Sequence, residues 1–143
     1  MATFGGIFFL DSRNGIAAGE DFFSPAAGSH DAWQPAADIL EIEDGYLVQI
    51  DLPGVDAASI EVLIEGGGVL VHGTRRAFCP VRGKRYVHME ISRGEFRKAI
   101  ALPAPISEEG AAAVLRDGVL EIRLRHGRRP ALASSRLRVG TVS

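Results

Sequence analysis

The sequence has few of the residues that cross-link or activate a protein. Its 143 residues include one cysteine, Cys79, one tryptophan, Trp33, two tyrosines and two methionines. A lone cysteine excludes an internal disulfide and makes a reducing cytoplasm the expected compartment. No stretch approaches the ~18 apolar residues of a membrane-spanning helix. The first ten residues, Met-Ala-Thr-Phe-Gly-Gly-Ile-Phe-Phe-Leu, lack the basic flank and the apolar length of a secretory signal. The length suits one compact domain with tails and excludes a long multidomain enzyme.

Catalytic constellations are equally sparse. Cys79 precedes Pro80 near Arg75, Arg76 and Arg82, a setting that favours a thiolate, but no cysteine signature sets a histidine against it. His30, His72, His88 and His126 are scattered along the chain; His88 and Glu90 can share one strand face, and two ligands do not make a specific metal site. Gly66-Gly67-Gly68 has neither the Gly-Lys-Ser/Thr ending nor the following helix of a phosphate loop, so it reads as a hairpin turn. Glu108 and Glu109 fall past Pro105 in an expected solvated loop. The chain is therefore read as a non-enzyme without cofactor or metal.

The net charge of −2 conceals a split. Residues 1–65 hold 12 acids and one base, Arg13, whereas residues 66–143 hold 6 acids and 15 bases. Aliphatic residues interleave with the charges in both halves, so the expectation is that the halves fold onto each other rather than forming polyelectrolyte tails. A nucleic-acid-binding β module is the competing reading, because eight bases lie within residues 75–98. Only Phe78 and Tyr86 are at hand for base stacking, and the acidic half would repel phosphate.

Three zones separate by composition. Residues 1–36 carry Phe4, Phe8, Phe9, Phe22, Phe23 and Trp33 in a Gly/Ala/Ser/Pro background without helical or strand period. Such sparse aromatics cannot offset ordering the backbone at ~1–2 kcal/mol per residue, so a flexible arm that awaits a partner surface is expected. Residues 37–126 alternate with period 2 in short runs punctuated by Gly and Pro. Tyr46, Val48, Ile50 and Leu52 share one face; Ile60, Val62 and Ile64 face inward beside Glu61 and Glu65; Leu120, Ile122 and Leu124 oppose Glu121, Arg123 and Arg125. Turns fall at Asp44-Gly45, Pro53-Gly54, Gly66-Gly67-Gly68 and Asp117-Gly118. About seven strands in 90 residues predict an all-β antiparallel sandwich. Residues 127–143 open as a polar linker and present Leu137 and Val139 on either side of Arg138, a spacing suited to adding onto a sheet edge or filling a groove.

Leu52-Pro53-Gly54-Val55, the strand from Phe96 to Pro103, and Ala113-Val-Leu-Arg-Asp-Gly118-Val119-Leu120 together resemble the motifs of the small heat-shock proteins and their α-crystallin domain. In the last motif Asp117 stands for the family's Asn, and both residues suit a turn with positive φ. The resemblance implies an immunoglobulin-like β-sandwich over residues 37–126 and an ATP-independent holdase that binds unfolded client proteins. It also implies homodimers in which a loop, here about residues 76–89, reaches over the partner's sheet. That loop holds Arg82, Lys84, Arg85 and Tyr86, and its bases are expected near acids of the partner subunit, with salt-dependent assembly. The family's carboxyl Ile-x-Ile/Val motif docks on a neighbouring dimer; Leu137-Arg138-Val139 is similar, and Val62, Ile64, Ala113 and Leu115 would line the receiving groove. The Phe-rich arm, with Trp33, would capture clients and aid assembly into a higher homo-oligomer.

The family's strand arginine falls on Lys98, which alternation sets on the apolar face of Phe96, Ile100 and Leu102. A buried cation there calls for an acidic partner, within the chain or across the dimer. Two further rivals are a monomeric co-chaperone adaptor of the p23/CS type, which has no use for the loop and tail, and a carbohydrate-binding sandwich, for which residues 37–126 hold too few aromatics.

Overall fold

The computed structural model describes residues 32–65, 67–76, 81–128 and 134–142, together with the backbone of residues 10–11 and 15–16. The expected sandwich is present. Two tiny strands, β1 (Leu10–Asp11) and β2 (Gly15–Ile16), pair with each other. The sandwich uses β3 (Ala37–Ile42), β4 (Gly45–Asp51), β5 (Glu61–Glu65), β6 (Gly68–Arg75), β7 (Gly94–Ala101), β8 (Ile106–Arg116) and β9 (Val119–His126). Two tail strands follow, β10 (Ser135–Leu137) and β11 (Val139–Val142). One sheet has the order β10-β5-β6-β7 and the other β11-β8-β9-β4-β3. The chain crosses between sheets after β4, β7, β9 and β10.

Alternation decides the two inner faces. Val48, Ile50, Leu120, Ile122 and Leu124 from one sheet meet Val62, Ile64, Val69, Val71, Phe96 and Ile100 from the other, all at most 1% exposed. Each such side chain adds about 1.5–3 kcal/mol of burial, and their sum over two faces is what holds the sheets together. Tyr46 closes one end of this core, its ring edge-on to His126 at 5.2 Å between centroids. Burial, and then the charge of Glu41, push its phenol above the ordinary value.

The turns that carry the family resemblance touch one another. Asp117 (φ 51) and Gly118 (φ 79) both take the left-handed backbone of the β8–β9 hairpin. The Leu52 N–H donates to the Gly118 carbonyl at 2.7 Å. A Cβ on Gly118 would stand 2.9 Å from Pro53 Cα. Gly118→Ala therefore combines backbone strain with a backbone clash, and we expect it to cost about 1–3 kcal/mol, read as a lowered thermal midpoint, while Asp117→Asn is near neutral.

One expectation about local structure is corrected. Glu108 and Glu109 lie inside β8 rather than in a loop. The strand begins at Ile106, which is 1% exposed, and an irregularity between Ser107 and Ala112, around Gly110 (φ 75), interrupts its pairing with β9. The bulge masks the period of 2 that would have revealed the strand.

Candidate functional site

The surfaces that can join this domain to something else are its sheet edges, the loop between β6 and β7, and the tail. A sheet edge presents unpaired N–H and C=O groups and must be covered or it recruits another chain. At the start of β7, the edge is bridged by Trp33. Its backbone N–H donates to the Glu95 carbonyl (3.1 Å), its carbonyl accepts from the Arg97 N–H (3.0 Å), and its indole Nε1 donates to the Gly94 carbonyl (3.3 Å). The indole lies 5.5 Å from the Phe96 ring, and the Arg75 guanidinium stacks over it at 4.2 Å. Arg75 Nη1 in turn donates to the Ser92 carbonyl at 3.0 Å, tying the roots of the loop together. Trp33, read from sequence as part of the arm, thus sits on the sandwich, half-buried. Phe4, Phe8, Phe9, Phe22 and Phe23 lie outside the described residues, as does Cys79.

The edges of β5 and β8 are covered by the chain's own tail. β10 runs antiparallel to β5 with Ser135 opposite Ile64 and Leu137 opposite Val62. β11 runs parallel to β8 with Val139 opposite Ala113 and Thr141 opposite Leu115. Leu137 and Val139 are half-buried and pack against the core, while Arg138 between them, where the chain steps from one sheet to the other, is exposed. The residues brought together are those of the expected groove, Val62, Ile64, Ala113 and Leu115, and here the groove and the tail belong to one chain. Sequence reading missed the continuation into β11, because Gly140 and Thr141 dilute its apolar pattern. On the outer face, Arg136 Nη2 stands 3.4 Å from Glu61 Oε2, and His72 Nε2 stands 3.1 Å from the same oxygen. Arg123 reaches Asp44 Oδ1 at 3.2 Å. Both arginine ion pairs join the basic half of the chain to the acidic half.

The loop, residues 81–93, has no regular secondary structure and exposes Val81, Tyr86, Val87, Met89 and Ile91. Val87 is 90% exposed, and Val87, Met89 and Ile91 recur with the period of a strand. Arg82, Lys84 and Arg85 are exposed beside them, and Arg93 stacks over Tyr86 at 4.7 Å. His88 and Glu90 form a solvent-exposed pair 3.3 Å apart. No group of three or more metal-ligating side chains occurs among the described residues.

Lys98 lies where alternation put it, between Phe96 and Ile100 and only 4% exposed. It has no acidic partner among the described residues of its own chain. Its neighbours across and along the strand, Val71, Phe96 and Ile100, are apolar, and burial holds its ammonium below the ordinary value.

A family model described as the Hsp20/alpha crystallin family matches residues 38–137, a span that runs from Asp38 in β3 through β9 to Leu137. The chain belongs to this family. Over 110 residues it is 34% identical to the spore protein SP21 of Stigmatella aurantiaca, covering 77% of this chain and 64% of that protein. It is 36% identical over 87 residues to a 17.9 kDa class II heat shock protein of Helianthus annuus, covering 60% and 54% respectively. The alignments thus span just over half to just under two thirds of these Hsp20 relatives. Among solved structures it is similar to hspA from Xanthomonas axonopodis, at 34% identity and a TM-score of 0.59 over 69% of this chain and 98% of that one. A small heat-shock protein from Xylella fastidiosa matches at 31% identity and a TM-score of 0.58 over 76% and 97%. No helix among the described residues of this Hsp20 chain is long and apolar enough to cross a membrane.

Proposed function

We propose that the chain is an ATP-independent holdase chaperone of the cytoplasm, acting as a homo-oligomer built from loop-exchanged dimers. The observation that carries the dimer is the accounting of edges. On one side of the sandwich the sheets end in the short tail strands β10 and β11; on the other, Trp33 bridges β7 at Glu95–Arg97, whereas the outer edge of the longer strand β3 has no partner among the described residues. An extended segment with alternating apolar side chains is the natural occupant of such an edge, and residues 87–91 of a second copy have that pattern. Leu40 on β3 is itself 42% exposed and would be covered by the exchange. Acids Asp38 and Glu41 on β3 would meet the loop bases Arg82, Lys84 and Arg85, consistent with the division of charge along the sequence. The Xylella relative is described as having a distinct high order structure, which accords with assembly beyond the dimer.

Client capture is assigned to the arm. Separated Phe side chains on a Gly/Ala/Ser background offer apolar contacts without a continuous patch that would aggregate by itself. Because Trp33 belongs to the sandwich edge, the informative deletion removes residues 1–31 and keeps Trp33. We expect that variant to retain the thermal midpoint of the domain, to lose oligomer mass on native mass spectrometry, and to suppress aggregation of a heat-denatured client poorly. Unchanged mass together with unchanged suppression would sink the assignment.

A further inference from the structure

We propose that the start of the β7 edge is a binding site for an extended stretch of unfolded polypeptide bearing an aromatic side chain, and that Trp33 occupies it as a displaceable stand-in. The inference rests on the holdase reading and adds a client site on the sandwich to the one assigned to the arm. Trp33 shows what the site takes. Its N–H and carbonyl bond the Glu95 carbonyl and the Arg97 N–H in a parallel bridge to Phe96, as a strand added to a sheet edge would. Its indole fills a socket walled by the Phe96 ring, the Gly94 carbonyl and the Arg75 guanidinium, surfaces that favour an aromatic ring. Arg75 is also anchored through the Ser92 carbonyl, so its wall of the socket does not depend on the indole. A groove beside the bridge, lined on the outer face by Ala32, Leu70, His72, Thr74 and Arg97, gives room for the alternate side chains of an added strand.

The hold of Trp33 is short, and Pro35 is the reason. Alternate residues of an extended segment turn their backbone groups the same way, so the next residue to meet β7 after Trp33 is Pro35, which has no N–H to give. The bridge therefore stops at one residue. Further along the edge, the Arg97 carbonyl and the Ala99 N–H have no backbone partner among the described residues, and β2 comes close to β7 without pairing with it. β7 itself is held to β6 along all eight of its residues. Warming thus frees Trp33 before it frees β7, because a single bridge opens at lower cost than a ladder. A client segment without proline can then run past Arg97 and gain backbone bonds that Trp33 cannot make. At lower temperature the short covalent link from Trp33 to β3 returns the indole to its socket faster than a dilute client can enter, and the site stays closed.

A reversible lock tests the site in the full chain. The parallel bridge places Ala32 beside Glu95, and both line the groove, so the chain carrying Cys79→Ser, Ala32→Cys and Glu95→Cys can close a disulfide that pins Trp33 in place. Oxidised, it should suppress aggregation of heat-denatured citrate synthase several-fold less well than the same chain reduced, at equal native mass. Equal suppression in the two states would overturn the site and leave the holdase reading standing. No suppression by the parent chain would remove both. Trp33→Ala leaves the site open and should bring suppression on at a lower temperature than in the parent; an onset that is unchanged or higher counts against the proposal. Hydrogen exchange reads occupancy without reference to aggregation. In the parent chain the Arg97 amide should exchange faster on warming while the β6–β7 ladder stays protected, and it should slow again once citrate synthase is bound. An Arg97 amide that the bound client leaves unprotected would overturn the proposal.

Discussion

Phe96→Ala should cost the domain about 3–5 kcal/mol, the range for truncating a fully buried large aromatic. Phe96 is 1% exposed and occupies the point where three parts of the fold meet. Its ring faces the Trp33 indole, it lies under Gly73, where any Cβ would come within 2.7 Å of its ring, and it borders Lys98 and Ile100 on the inner face. Removing it opens a cavity in the core and withdraws the stacking surface of Trp33 at the same time. The urea midpoint should fall accordingly, and Trp33 fluorescence should shift to longer wavelength even in the folded baseline. Trp33→Ala, which leaves the core residue in place, should cost less than half as much. Equal losses for the two variants would show that the edge cover, and not the core, carries the stability.

Lys98→Met is expected to work in the opposite direction, raising stability by about 1–3 kcal/mol at neutral pH, because it replaces a buried ammonium without an acidic partner among the described residues by an apolar chain of similar length. The pH dependence tests the cause. Burial lowers the folded-state pKa of Lys98 from its ordinary value of 10.5. In the window between that lowered value and 10.5 the unfolded chain binds the extra proton, so stability rises with pH there. Below the window both states are protonated and the folded state bears the full cost of the buried charge. Tyr46 acts the other way above its ordinary value of 10.0, where the unfolded phenol ionises first and stability falls. The Lys98 contribution is therefore best read below about pH 10, as the difference between the parent chain and Lys98→Met. The gap between their urea midpoints should narrow as pH rises. A gap that stays constant would mean that the lysine is not held as a buried charge. If Lys98 instead pairs with an acid across the dimer, Lys98→Met would destabilise the assembly, and its stability would fall with dilution more steeply than that of the parent.

Much of this architecture was legible in the residue order. Strand facing followed from alternation, down to the placing of Lys98 beside Phe96 and Ile100, because the side-chain period of a strand admits only two faces. The Asp117-Gly118 hairpin followed from the need for positive φ at both positions. The union of the acidic and basic halves followed from their composition, and Arg123–Asp44 and Arg136–Glu61 are where it is made. The start of β8 was not legible, since a bulge breaks the period that reveals a strand. Nor were the surroundings of Lys98, because facing tells which side a residue takes and nothing about what stands opposite in the other sheet.

The sequence by itself determined the sandwich, its turns, its family motifs and the tail's apolar spacing, all of which depend on contacts between neighbours along the chain or across one hairpin. Only the tertiary structure decided which edges are left open. Trp33 pairs with Phe96, 63 residues away, and the tail bridges β5 and β8, strands of different sheets. Such pairings have no period and no local propensity to announce them. They arise because edges exposed by the folded sandwich are satisfied by whichever extended segment the chain can bring there, and that reach exists only once the sandwich has formed.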